Sequence, residues 1–214
     1  MATIVPDMKN RRLFFLVALL IAAFVPALPT GAQTLLRVAT PGALTGALPI
    51  YLGAKKGVFS KYGLTVEVIV TRNEQMNMQA LMWDSVQFLG LTVIPVPLEY
   101  VWGINITRKV FMNKNREIVK NYLRGLAESV RLMMADKAST IAVMSQVLKI
   151  DDPDSLDYSY KMMRADARAD LFPTEESIVN VLRTMSYEDP AFLSIPPYKF
   201  FDLSLIQELK AESR

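Results

Sequence analysis

The stretch that decides the fold runs from Leu36 to Val70 and reads LRVATPGALTGALPIYLGAKKGVFSKYGLTVEVIV. Its opening, with Leu35, is a short apolar run to Thr40 of the kind that forms a buried strand. Pro41-Gly42-Ala43-Leu44-Thr45-Gly46 interrupts it with a loop containing two glycines. From Ala47 to Lys56 the apolar residues Leu48, Tyr51, Leu52 and Ala54 fit a short helix, and Pro49 is tolerated in its first turn, where a missing N–H leaves no bond unmade. Gly57 is its predicted stop, and Val58 to Gly63 turns the chain. Leu64, Val66, Val68 and Val70 then alternate with Thr65 and Glu67, the period of a second strand.

Working outward, Thr71 or Asn73 is placed to cap a helix ending near Trp83, and Val86 to Gly90 reads as a third strand. Strand, helix, strand, helix, strand implies βαβ units and hence a parallel sheet. Met76, Met78 and Met82 are predicted to pack over that sheet rather than to form a soft-metal or binding surface. Trp83 and Trp102 are expected as core or rim aromatics.

Beyond Gly90 the pattern changes. Leu91 to Tyr100 holds Pro95-Val96-Pro97, and Val101 to Val110 suits an extended segment in which Trp102, Ile104 and Ile106 alternate with Gly103, Asn105 and Thr107. The rest is predicted helical. Asn113 is an expected N-cap for a helix with an apolar stripe from Ile118 to Met133, and further helices run near Ser139 to Leu148, from Pro153, from Pro173 to about Tyr187, and from Leu203 to Leu209. The acidic residues Asp151, Asp152, Asp154 and Asp157 lack calcium-loop spacing and are read as a helix start.

Before Leu36, Lys9-Asn10-Arg11-Arg12 is a basic segment, followed by an uncharged run from Leu13 to Leu28. That run, broken by Pro26, has about sixteen residues, short of the roughly 20 that span a bilayer. Pro29-Thr30-Gly31-Ala32 then places Thr30 and Ala32 for a cut before Gln33, so residues 1–32 are read as an export signal and the mature protein as periplasmic. Met8 would give a more compact signal if translation began there.

The 214 residues are 51% hydrophobic and 21% charged, which excludes a disordered tail. Much of the net +3 charge lies in the amino-terminal basic segment, leaving no footprint for nucleic acid. The chain has no Cys and no His. Disulfides, thiolate chemistry, Ser-His-Asp triads and His-dependent zinc sites are thereby excluded, and an enzyme is not expected. No catalytic residue, metal or cofactor is assigned.

Leu36-Arg37-Val38-Ala39-Thr40, Leu48 to Phe59 with Gly53-Ala54-Lys55-Lys56-Gly57-Val58-Phe59, and Lys61 to Val68 with Tyr62-Gly63-Leu64 resemble the opening of the solute-binding proteins of nitrate/sulfonate/taurine-type ABC importers, relatives of proteins of thiamine-pyrimidine synthesis. Thr107-Arg108-Lys109-Val110-Phe111, Val119 to Arg124, Leu148 to Pro153, Phe172-Pro173-Thr174, Val181-Leu182 and Tyr198 to Asp202 resemble the family's carboxyl-terminal region. The resemblance implies an α/β, type II periplasmic-binding-protein-like fold, with a short, mainly parallel sheet, flanking helices and a helical carboxyl-terminal half.

It also implies that something is missing. Such proteins have two lobes with the ligand between them, and the second lobe would lie between Gly90 and Gly103. Residues 33–90 and 103–214 therefore correspond to one lobe, and residues 91–102 form a junction in place of a domain of about 100 residues. Intact relatives capture a small solute and deliver it to an ABC permease; a monomer is expected.

A cleft in such a fold lies at strand carboxyl ends and helix amino termini, where free N–H groups and the helix dipole favour anions. The expected binding residues are Leu44, Thr45, Gly46 and Ala47 after the first strand, Thr71, Arg72 and Asn73 after the second, and Asn105 on the return segment. Arg72 would contact a sulfonate, carboxylate or nitrate, or else be a solvated surface arginine.

Overall fold

A computed structural model of the protein describes residues 32–42, 45–92, 103–187, 189–196, 199 and 201–212. The segment read as an export signal, Leu44 and Trp102 lie outside the described residues. The protein is a mixed α/β structure built on a four-stranded sheet of order β2-β1-β3-β4.

β1 (Thr34–Pro41) and β2 (Leu64–Thr71) run parallel along their full lengths, from Thr34↔Leu64 to Pro41↔Thr71. Gly63 makes the turn into β2 at φ +70°, a conformation that costs an L side chain energy. β3 (Phe88–Thr92) is parallel to β1, while β4 (Gly103–Thr107) is antiparallel to β3 with Thr92 opposite Gly103. The sheet is thus mainly parallel, with one returning strand at its edge.

The strand period of two sends the side chains to separate cores. Leu36, Val38, Leu64, Val66 and Phe88 join the larger one, against α1 (Leu48–Lys55) and α4 (Arg116–Ala135). Ala39 and Leu89 face the other way, with Leu81 of α2 (Glu74–Met82) and Val86. α3 (Lys109–Lys114), α5 (Lys137–Leu148) and α6 (Pro153–Asp166) follow, then α7 (Glu175–Met185) and α8 (Ser204–Glu212).

Within the larger core, Phe59 stacks on Tyr122 with centroids 5.6 Å apart, and Tyr122 stacks on Phe88 at 4.2 Å. Gly53 of α1 and Gly125 and Ser129 of α4 leave the room that Phe59 fills: a Cβ at Gly125 would lie 2.4 Å from its ring, and one at Gly53 2.7 Å. Burial pushes the Tyr122 hydroxyl far above its usual pKa.

Three expectations are corrected. Met76, Met78 and Met82 are exposed at 46%, 45% and 65%, and Trp83 at 78%, because the stripe that α2 turns to the sheet is Asn77 and Leu81. Val70 keeps its expected place in β2, where it is 54% exposed near the outer end of an edge strand. Asn113 does not cap a helix: it lies inside α3, and the chain bends at Asn115 before α4, with the Asn115 side chain donating to the Phe111 carbonyl at 3.1 Å. The acidic run does start a helix, with Asp152 accepting from the Ser155 N–H at 2.8 Å.

Candidate functional site

β1, β2 and β3 end at Pro41, Thr71 and Thr92, and β4 begins beside them at Gly103, so all four strands share one loop edge. The β1-to-β2 connection carries α1 on one face and the β2-to-β3 connection carries α2 on the other. The winding therefore reverses at β1, and the crevice outside the carboxyl ends of β1 and β3 is the place where open α/β sheets bind ligands.

Two of the loops expected to bind a ligand do converge there. Gly42 N donates to the Thr71 carbonyl at 3.2 Å, tying the loop after β1 to the end of β2. Thr71 Oγ1 lies 2.6 Å from Asn77 Oδ1, 3.2 Å from the Asn73 carbonyl and 3.3 Å from the Thr40 carbonyl. With one proton to give, it serves the nearest acceptor, Asn77. Asn73 caps α2, its Oδ1 accepting from Met76 N at 2.9 Å. Arg72, between them, is exposed.

On the β1 side, Thr45, Gly46 and Ala47 form a 3-10 turn against β3. A Cβ at Gly103 would meet the Gly46 carbonyl oxygen at 3.1 Å, so backbone meets backbone where β4 starts. Ala47 is 1% exposed and packs in the core beside Leu48, so its methyl is not presented to a crevice. Asn105 is committed elsewhere: its Oδ1 accepts from the Tyr122 hydroxyl at 2.7 Å, satisfying a phenol that the core would otherwise strand.

Two polar residues at this edge were absent from the sequence reading. Thr40 is fully buried; its hydroxyl donates to the Gly42 carbonyl at 2.9 Å, so the 3.1 Å contact with Tyr51 is donated by the tyrosine. Asn77 is also fully buried, and its Nδ2 has no hydrogen-bond partner among the described residues. Both occupy positions where the strand or helix pattern calls for an apolar residue: Thr40 follows Leu36 and Val38, and Asn77 precedes Leu81 by one turn. Among the described residues no group of His, Cys, Asp or Glu is placed to hold a metal, and no helix is long and apolar enough to cross a membrane.

No family model matches the chain, and no curated protein does. Among solved structures it is similar to a protein from Bordetella bronchiseptica RB50, with a TM-score of 0.63 and 9% sequence identity over 85% of this chain and 98% of that one. At that identity the likeness concerns the fold: a mixed α/β protein with a small sheet and flanking helices.

Proposed function

We propose that this chain is one lobe of an exported solute-binding protein of the nitrate/sulfonate/taurine importer type, with a type II binding-protein fold and its ligand edge at the carboxyl ends of β1, β2 and β3. The observation that carries the reading is the pairing of Thr92 with Gly103. β3 leaves the sheet and β4 returns to it side by side at the edge where the winding reverses, so a second lobe inserted between them would stand over the crevice. The motif residues that bear the family resemblance also have roles in this lobe, since Gly53 and Phe59 form the seam between α1 and α4.

On this reading the solute is a small organic or anionic molecule, such as a sulfonate, nitrate or taurine, captured in the periplasm for a membrane permease. One wall cannot enclose a ligand as good pockets do, so the isolated chain binds weakly. Amide NMR titration with taurine and nitrate tests this: saturable shifts at Gly42, Gly46 and Thr71 in the millimolar range are expected. Absence of any shift at those amides with every solute tried refutes the edge, and a micromolar Kd refutes the single-wall account. Sequencing the native locus and transcript through Gly90 to Trp102 decides whether a longer frame supplies the second lobe.

A second reading, a non-binding interaction protein, is favoured by one observation: Met76, Met78, Met82 and Trp83 present large apolar side chains to solvent on and just after α2.

A further inference from the structure

Asn77 stands on the sheet-facing stripe of α2, one turn before Leu81, and is fully buried. Its Oδ1 is met by Thr71 Oγ1 at 2.6 Å, and its Nδ2 by no hydrogen-bond partner among the described residues. Turning the amide over does not remove the deficit. Nδ2 would then donate to Thr71 Oγ1, whose proton would pass to the Thr40 or Asn73 carbonyl, and Oδ1 would be left alone. One amide atom is orphaned in either orientation, so the shortfall belongs to the place. A buried polar group without a partner bears its full desolvation cost, and native proteins keep few of them without a use.

The surroundings indicate what would meet it. The side chain that meets Asn77, the half-buried Thr71, is uncharged, and so are Thr40 and the Tyr51 hydroxyl, which lie at the same edge on the other face of the sheet. The amino end of α2 already receives the Asn73 side chain on Met76 N and carries Glu74 in its first turn, so a carboxylate and a cap stand where an anion would seek the helix dipole. The one cation of that loop, Arg72, is exposed and adjoins Glu74 through a single residue.

We propose that Asn77 is a ligand-reading residue of this edge and that the group it meets is an uncharged carboxamide, carbonyl or hydroxyl rather than an anion. The proposal rests on the ligand edge described above and narrows its solute class.

The test titrates the full chain with acetamide, urea and nicotinamide on one side and nitrate and taurine on the other, following the Asn77 side-chain NH2 and the Gly42 and Thr71 amides. The expected result is saturable shifts at all three with the neutral probes, and at least tenfold weaker binding of the nitrate anion and of taurine, a zwitterion that would present its anionic sulfonate. Asn77→Leu should weaken the neutral probes at least tenfold while raising the unfolding temperature of the free protein. Asn77→Asp, which preserves size and the bond from Thr71 but removes the donor, gives the same loss of binding should the leucine variant fail to fold.

If nitrate and taurine bind as tightly as the amides, or Asn77→Asp binds every probe like the parent, the proposal is wrong while the ligand edge stands. If no probe of either kind moves Gly42 or Thr71, the edge itself is wrong, and Asn77 falls with it. A water resident on Asn77, seen as a persistent NOE unaltered by any probe, overturns the proposal as well.

Discussion

Gly125→Ala separates two accounts of the same residue by sign. Gly125 lies in the middle of α4, where replacing glycine by alanine in an exposed helix stabilises by about 1 kcal/mol. Here the added methyl would fall 2.4 Å from Cδ1 and 2.8 Å from Cε1 of Phe59. That ring cannot retreat easily. It is 1% exposed and stacked on Tyr122, whose own position is fixed by Phe88 on its other side and by the hydrogen bond to Asn105. Inserting a methyl group into a well-packed core costs about 1–3 kcal/mol, and a 2.4 Å clash with a ring held on both sides belongs to the upper part of that range, about 2–3 kcal/mol, so after the propensity gain the expected net loss is about 1–2 kcal/mol. At about 2–4 °C per kcal/mol for a domain of this size, Tm should fall by about 2–8 °C, measured by circular dichroism. Phe59→Leu in the Gly125→Ala background should recover part of the loss, giving a coupling of about 1 kcal/mol in a double-mutant cycle. A rise in Tm for Gly125→Ala, or strict additivity with Phe59→Leu, would refute the seam.

Asn105→Leu should destabilise by about 1–3 kcal/mol by leaving the buried Tyr122 hydroxyl without an acceptor, and Tyr122→Phe in that background should restore most of it, as urea unfolding would report. The Lys137 and Lys161 ammonium groups hold the Asp157 carboxyl down to about 2. Its folded value is depressed, so its contribution is present above the ordinary carboxylate range near 4 and is lost as pH falls from there through about 2. Asp157→Asn should flatten the dependence of Tm on pH in that window. Lys120, with a side chain only 7% exposed, faces Glu117 of its own helix and Glu208 and Glu212 of α8, and the latter two contacts tie α8 to α4. Lys120→Ala should loosen α8 and speed limited proteolysis between Ile195 and Ser204; unchanged cleavage would mean that Arg116 with Glu208 and Arg124 with Glu212 suffice.

How far the sequence was legible follows from the range of each signal. β1, α1 and β2 were readable because alternation, Pro49, Gly57 and Gly63 act within a few residues. β3 begins later than its apolar run because Val86, though buried, bonds back to Ala80, and Gln87 N reaches the Arg37 carbonyl before the ladder with Val38 begins. The methionines misled because hydrophobicity alone names Met76 and Met78 as the inner face. The helix is instead turned by Leu81, and the residue one turn before it is Asn77. The loops after β1 and β2 are assigned to one cleft through the binding-protein-like fold that the resemblance implies, and the bond from Gly42 to Thr71 is what joins them. The tie between Asn105 and Tyr122, and the Phe59 seam against Gly125, join parts of the chain that no local pattern relates.

The resemblance and the ligand edge consequently rest on different residues. Gly53, Gly57, Phe59 and Gly63 recur in the motif, yet Gly53 and Phe59 work in the seam with α4, Gly57 and Gly63 provide positive-φ turns at +68° and +70°, and none of them lies at the carboxyl edge of the sheet. Their spacing is dictated by how α1 must pass α4, and that constraint is indifferent to the solute. On the proposed reading, the groups able to distinguish one solute from another are Thr40, Thr71 and Asn77, of which Thr40 and Asn77 stand in buried slots where packing alone would be satisfied by a hydrocarbon. A chain that keeps the motif but loses those three polar side chains would be expected to fold alike and bind nothing. Changing the three together, rather than any motif glycine, is the way to separate the fold's requirements from the ligand's.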